Sequence, residues 1–65
     1  MIVYYKLWDY MTRKGMKRSD LYAVTTPATV SKLGKNESVT TELLGRICKF
    51  LQCQPSDIME YIDEE

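Results

Sequence analysis

The side chains best suited to recognising a ligand are gathered in the middle of the stretch from Arg18 to Asn36. Within two helical turns this stretch supplies small, hydroxylated and cationic side chains, at Pro27, Ala28, Thr29 and Lys32. Small side chains allow a helix to approach another surface closely, hydroxyls donate and accept hydrogen bonds, and lysine attracts anions. A helix surface selected only for stability would more often carry Glu, Lys and Gln. The set therefore favours close, hydrogen-bonded recognition of a polyanion.

Further donors flank this set on both sides, at Arg18 and Ser19 before it and at Lys35 and Asn36 after it. Arg, Lys, Ser and Asn side chains, and backbone N–H groups at helix starts, are the usual partners of phosphate oxygens. The alternative is that Lys32 and Lys35 are ordinary solubilising charges.

The side chains needed for catalysis or metal binding are scarce. The chain has no histidine, no glycine-rich phosphate loop and no pair of carboxylates in an apolar setting. Its two cysteines, Cys48 and Cys53, do not form a C-x-x-C pair, so we expect buried free thiols instead of a zinc or redox site. The sequence predicts a protein that is not an enzyme and needs no cofactor or metal.

Charge is divided unevenly along the chain although the net charge is zero. Residues 1–36 carry seven basic and two acidic side chains, a net of +5, and residues 37–65 carry two basic and seven acidic ones, a net of −5. Such a division gives a dipolar molecule with one face attractive to polyanions. The alternative is that both halves are simply solvated surface.

Five short helices are expected to position these side chains within a single domain of residues 1–65, an all-α bundle. Apolar spacing and end signals place them at Tyr4 or Tyr5 to Lys14 with Gly15 as the stop, Arg18–Val24, Pro27 to Leu33 closed by Gly34, Thr40–Leu51, and from Pro55 onward with Ile58, Tyr61 and Ile62 inward. Met1 to Tyr4 is too short to assign to a strand, and Asp63–Glu65 is expected to fray. The fourth helix has the most regular apolar face, so we expect it to be scaffold without ligand contacts.

The sharpest local signal is Thr26-Pro27, because Thr is a favoured N-cap and Pro is favoured at the first helical position. Two short helices then meet at a tight corner, which predicts a helix-turn-helix over about residues 18–36. In this motif the second helix enters the DNA major groove while the first helix crosses the backbone.

The whole chain resembles the Cro/C1-type (XRE-like) helix-turn-helix regulators. The resemblance is carried by the segments Lys14–Leu21, Val30–Asn36, Val39–Leu51 and Pro55–Tyr61. The Lys-Leu-Gly-Lys-Asn-Glu run at 32–37 is similar to small regulators of glycopeptide-resistance operons. This resemblance implies a five-helix, lambda-repressor-like DNA-binding fold and a role in transcription, usually as a homodimer on two half-sites.

Carried over by position, the resemblance makes Pro27, Ala28, Thr29 and Lys32 the base-reading residues and assigns the phosphate contacts to Arg18, Ser19, Lys35 and Asn36. The sequence departs from the family at the corner near Thr25 and Thr26, which is roughly two residues shorter than usual in this motif. A tighter corner is expected to shift or rotate the recognition helix.

A different class of function would also fit: a protein-interaction module, such as an adaptor or an antitoxin-like partner, without direct DNA readout. Its surface would be supplied by the acidic C-terminal half and by aromatic side chains that we expect to be exposed, such as Tyr4, Tyr5 and Trp8, and a dimer interface would use the same features. No apolar run is long enough to span a membrane, and Met1–Tyr5 lacks the features of a signal peptide, so the expected location is cytoplasmic.

Overall fold

The computed structural model describes residues 1–63, so Glu64 and Glu65 of the predicted fraying tail lie outside the described residues. The elements in chain order are the strand β1 (Ile2–Val3), the helix α1 (Tyr5–Arg13), the 3-10 helix η1 (Arg18–Ala23), the helices α2 (Pro27–Gly34) and α3 (Thr41–Leu51), the 3-10 helix η2 (Pro55–Asp57) and the strand β2 (Glu60–Tyr61). The chain is mostly helical, and its helices surround one apolar core.

The elements α1, η1, α2 and α3 contribute most of their predicted inward residues to this core, whereas Val24 and Cys48 are half-buried at its edge. The fully buried side chains include Leu7 and Met11 of α1, Leu21 of η1, Leu33 of α2 and Ile47 of α3. Val30, Leu43, Leu44, Leu51 and Ile58 complete the same cluster. The spacing of three and four residues that predicted these faces is therefore confirmed for α1, α2 and α3.

Each α-helix ends in a Schellman motif, in which a residue with positive φ allows a late N–H to bond an early carbonyl. In α1 the residue with positive φ is Gly15, and the Met16 N–H donates to the Met11 carbonyl over 2.8 Å. In α3 it is Gln52, and the Cys53 N–H donates to the Cys48 carbonyl over 2.9 Å. The predicted stop at Gly15 is confirmed.

The end of α2 differs from the prediction that Gly34 closes the helix. Gly34 is the last residue of α2, and Asn36 takes the left-handed conformation with a φ of 58°. The Glu37 N–H then donates to the Lys32 carbonyl over 2.9 Å. Asparagine tolerates this conformation better than most residues, so the left-handed residue that follows α2 is Asn36 and not the glycine.

The predicted fifth helix is wrong. Pro55 begins only the single turn η2, in which the Gln54 N–H donates to Asp57 Oδ2 over 2.9 Å. The chain then becomes extended and β2 pairs antiparallel with β1, with Ile2 opposite Tyr61. Tyr61 is 70% exposed and does not face the core. The predicted mostly helical fold is therefore confirmed, whereas the predicted count of five helices is not, because the last segment forms a short two-stranded sheet with β1.

The first helix of the predicted helix-turn-helix also differs from the prediction. It is a 3-10 helix, η1, and ends at Ala23 where the sequence predicted a helix through Val24. Asp20 Oδ2 accepts a hydrogen bond from the Lys17 N–H over 2.7 Å, and Leu21 is fully buried. In a 3-10 helix each carbonyl accepts a hydrogen bond from the N–H three residues later, whereas in an α-helix the donor is four residues later. The resulting tighter turn suits the short connection between η1 and α2.

The start of α3 yields a first testable prediction. Thr40 is its N-cap, as predicted, and Thr40 Oγ1 accepts a hydrogen bond from the Leu43 N–H over 3.1 Å. Thr40→Ala should lower the free energy of unfolding by about 1 kcal/mol, because this N–H loses its partner. Urea denaturation with an unchanged m-value measures the loss. Thr41→Ala at the next, exposed position is the control and should change stability little, and equal losses would contradict the capping role.

The two cysteines are free thiols, as predicted, but both are half-buried and not fully buried. Burial, together with the neighbouring Cys48, raises the pKa of Cys53 from 9.0 to about 11. At pH 8 a thiol with this pKa is about 0.1% thiolate, roughly a hundredth of the ordinary fraction, and the thiolate is the nucleophile.

We therefore expect Cys53 to react with iodoacetamide at pH 8 about tenfold more slowly than a small free thiol. The higher intrinsic nucleophilicity of a basic thiolate offsets part of the hundredfold difference in thiolate fraction. Tryptic cleavage after Lys49 puts Cys48 and Cys53 in separate peptides, so peptide mass spectrometry of the wild type against time measures the rate. The rate should rise steeply between pH 8 and pH 10, and a rate already at its plateau by pH 9 would contradict the raised pKa.

Candidate nucleic-acid interface

The helix α2 is built as the sequence predicted at its start. Thr26 has an extended backbone and caps the helix, and Pro27 is the first helical residue. Val30 and Leu33 are buried, whereas Ala28 and Lys32 are exposed. Burying one side of α2 in the core leaves the other side, with Pro27, Ala28 and Lys32, available to a ligand.

Thr29 is half-buried, and its hydroxyl is engaged with the cap. Its backbone N–H donates to Thr26 Oγ1 over 3.3 Å, and the Oγ1 atoms of Thr26 and Thr29 lie 3.1 Å apart. The hydroxyl of Thr29 is thus oriented by the helix cap before any ligand binds. A ligand hydrogen bond to Thr29 must fit that orientation.

A groove with a volume of about 600 Å³ runs between α2 and the start of α3. The groove is rich in hydroxyl groups and has two cationic side chains, Lys32 and Arg46. Its lining residues are Thr25, Thr26, Thr29, Lys32, Ser38, Val39, Thr40, Leu43 and Arg46. Two of the predicted base-reading residues, Thr29 and Lys32, therefore share one concave surface.

Arg46 is the member of this groove that sequence reasoning missed, since α3 was expected to be scaffold alone. Its Nη2 also bonds Glu42 Oε1 over 2.9 Å, one turn earlier in the helix. The available signal was that Arg46 is one of only two bases in the otherwise acidic half of the chain. Placing it beside Lys32 required the packing of α3 against α2.

The donors before α2 lie at the start of η1, where Arg18 and Ser19 are both exposed. The Arg18 guanidinium is not loose, because its Cζ lies 4.1 Å from the centroid of the Trp8 ring. Trp8 in turn packs against the core from α1. The structure therefore places the Arg18 guanidinium against the Trp8 ring, at the start of the helix-turn-helix.

The donors after α2 differ from each other. Lys35 is exposed, whereas Asn36 is half-buried and accepts a hydrogen bond at Oδ1 from the Tyr4 N–H over 3.0 Å. Asn36 thus fastens the N-terminal segment to the end of α2. Its side-chain NH2 group is the part with which it would bind a phosphate.

The aromatic side chains proposed for a partner surface are only partly exposed. Tyr4 is 4% exposed and belongs to the core, so its predicted exposure is wrong, and burial raises the pKa of its hydroxyl. Trp8 is half-buried, and Tyr5 is the exposed member of the three. None of the helices in residues 1–63 has the length and apolar character to cross a membrane.

Comparison with known proteins identifies the family to which the chain is similar. Residues 6–64 match the family model of the Cro/C1-type HTH DNA-binding domain. A segment of 36 residues is 44% identical to the uncharacterized HTH-type transcriptional regulator YozG of Bacillus subtilis strain 168, and it covers 55% of this chain but only 43% of that protein. The crystal structure of the transcriptional regulator VanUg (Form II) is similar with a TM-score of 0.92 and 38% sequence identity, over 97% of this chain and 87% of that one. The likeness to VanUg agrees with the narrower resemblance drawn from residues 32–37.

Proposed function

Because the chain belongs to the family of Cro/C1-type helix-turn-helix DNA-binding domains, as its sequence predicted, we propose that it regulates transcription by binding double-stranded DNA sequence-specifically. In this proposal α2 enters the major groove, whose width admits an α-helix and whose base edges differ for each base pair. The partner is DNA, and regulation follows from occupancy of an operator.

The observation that carries the proposal is the division of α2 into two faces. Val30 and Leu33 anchor the helix in the core, and the opposite side presents Ala28 and Lys32 to solvent. Ala28 and the methyl group of Thr29 suit contacts with thymine methyls, and Lys32 suits the O6 and N7 atoms of guanine. Pro27, the first residue of the helix, is also exposed and completes the proposed base-reading set.

Phosphate contacts are proposed at both ends of this face, from Arg18 and Ser19 on one side and Lys35 and Asn36 on the other. Contacts to phosphates fix the register of a protein on the duplex without reading its sequence. Zero net charge is compatible with this function because the cations that matter are local, and the acidic half of the chain holds the compensating charge.

We further propose that the protein binds as a homodimer on two half-sites about one helical turn apart, the arrangement that two-fold symmetric helix-turn-helix proteins use. Sedimentation equilibrium with and without a two-site duplex measures the assembly. A protein that saturates the duplex as a single copy would contradict the dimer but not DNA binding itself.

Selecting bound sequences from a random DNA pool tests the function. Two variants then separate readout from phosphate binding: Lys32→Ala should relax the preference at one or two base pairs by about 1–3 kcal/mol, whereas Lys35→Ala should weaken all sequences alike. Failure to enrich any sequence, or the same change of preference in both variants, would contradict the proposed readout.

The alternative of a protein-interaction module is supported by one observation, the exposure of Tyr5 (58%) and Tyr61 (70%). Tyrosines are enriched in protein interfaces because their rings bury large areas while the hydroxyl stays polar. A stable protein partner that requires Tyr5 and Tyr61, together with no retardation of the pooled DNA, would replace the DNA-binding proposal.

A further inference from the structure

The side chain of Arg18 lies close to two residues to which neither the sequence nor the family resemblance assigns a role in DNA binding, Trp8 of α1 and Gly34 of α2. The Cζ of Arg18 lies 4.1 Å from the centroid of the Trp8 ring. A Cβ atom at Gly34 would lie only 2.8 Å from Arg18 Nη1. Arg18 thus connects α1, η1 and α2 at a single point.

Stacking on an aromatic ring leaves the hydrogen-bonding edge of a guanidinium available. A guanidinium is planar, its five N–H groups point outward in that plane, and its face packs on aromatic rings. The Arg18 side chain is exposed in spite of its contact with Trp8. The contact therefore orients the guanidinium and still leaves it accessible to an oxyanion such as phosphate.

The backbone gives no reason for a glycine at position 34. Gly34 lies within α2 and, unlike Gly15, does not have a positive φ. In a helix, alanine is intrinsically more favourable than glycine. The nearest atom to a Cβ at this site belongs to Arg18. Because glycine has no side chain, it leaves room for the Arg18 guanidinium.

Gly45 provides an internal comparison. It lies within α3, is exposed, and a Cβ added there would meet no atom within 4 Å. Alanine is more favourable than glycine for the helix at both positions. Only the alanine at position 34 would also displace Arg18. The two substitutions form a matched pair.

We propose that Trp8 and Gly34 are positioning residues that hold the Arg18 guanidinium in one orientation for a DNA phosphate next to the recognition helix. This inference rests on the proposed DNA-binding function. Ordering a long side chain before binding removes an entropy loss that binding would otherwise incur. The charge of Arg18 contributes in any orientation, and the two positioning residues add the geometry.

The test compares binding of a random-sequence DNA duplex at low salt by four proteins: wild type, Arg18→Ala, Gly34→Ala and Gly45→Ala. A random duplex is suitable because phosphate contacts do not depend on sequence. Gly34→Ala should bind about 3- to 10-fold more weakly, the range expected when one long side chain must be ordered on binding. Gly45→Ala should bind as wild type does, and thermal unfolding should show both alanine variants to be at least as stable as wild type.

A double variant separates an effect through Arg18 from a direct effect on α2. In the Arg18→Ala background, adding Gly34→Ala should cause no further loss of affinity. An undiminished effect of Gly34→Ala in that background would overturn the inference, as would wild-type affinity of Gly34→Ala when Arg18→Ala binds weakly. Trp8→Leu should reproduce the loss, and Trp8→Phe, which keeps a ring, should restore part of it.

A second measurement needs no DNA. Protons of the Arg18 side chain should show an upfield ring-current shift in the NMR spectrum of the wild type, and this shift should persist in Gly45→Ala but decrease in Gly34→Ala. Its absence from the wild type would overturn the positioning by Trp8. Failure of the wild type to bind the duplex while the shift is present would overturn the proposed function and the phosphate role, but would leave the orientation of Arg18 established.

Discussion

Replacing Ile47 with alanine is expected to lower the free energy of unfolding by about 2–5 kcal/mol. Ile47 is fully buried in the middle of α3, where it contributes to the core cluster that also holds Leu21 of η1 and Leu33 of α2. Removing its side chain leaves a cavity and removes apolar contacts on which both elements of the helix-turn-helix depend. A chain of this length has only about 3–10 kcal/mol of total stability, so this loss is a large fraction of the total and should lower the melting temperature markedly.

Graded substitutions on the same helix identify the cause of this loss. Ile47→Val removes one methyl group and should cost about 0.5–1.5 kcal/mol. The exposed Gly45→Ala should instead raise the free energy of unfolding by about 0.5–1 kcal/mol. Urea denaturation followed by circular dichroism measures all three variants. If Ile47→Ala were no less stable than Ile47→Val, the cavity explanation would be wrong.

The sequence was most informative where the structure depends on residues close together in the chain. The inward face of α3 follows directly from apolar residues three and four apart, and Thr26-Pro27 and Thr40 mark helix starts through contacts within three residues. The buried faces of α1, α2 and α3 could be predicted because a helix places near neighbours in sequence on one side.

Predictions failed where a segment is determined by a distant one. Residues after Pro55 have an apolar pattern that suits a helix, but the structure pairs β2 with β1 at the other end of the chain. The Met1 carbonyl accepts a hydrogen bond from the Ile62 N–H over 2.8 Å, and Asn36 Oδ1 accepts one from the Tyr4 N–H. Neither partner can be inferred from local spacing, because a strand of two residues has no periodicity to detect.

The candidate site shows the same limit. Residue types and positions alone predicted that Arg18 and Lys32 contact DNA, but they did not predict which side chains surround these two cations. The Trp8 ring beside Arg18, and Arg46 in the groove beside Lys32, are brought there by packing between helices. Neither neighbour follows from the spacing of residues within one helix, because each belongs to a different helix from the cation that it accompanies.

The affinity for DNA is expected to fall about 150-fold when the salt concentration rises from 50 to 200 mM, if Arg18 and Lys35 each contact one phosphate in both protomers of a dimer. Four cationic contacts give a slope of about −3.6 in log affinity against log salt, because each contact releases condensed counterions from the duplex. The zero net charge of the chain makes this prediction informative. A steep slope must then arise from cations placed against phosphates and not from the overall charge of the protein.

The slope is measured by fluorescence anisotropy titrations of a labelled duplex at several salt concentrations. Single substitutions then show how much each cation contributes to the slope. Lys35→Ala should reduce the slope by about 1.8, since one phosphate contact is lost in each protomer, and Arg18→Ala should do the same. Lys6→Ala removes an exposed cation of α1 whose Nζ donates to the Ser56 carbonyl in η2, so it should leave the slope unchanged. An equal reduction of the slope by all three substitutions would mean that the basic half of the chain attracts DNA diffusely. A slope near zero in the wild type would exclude phosphate binding by this surface, because neutral contacts release no counterions.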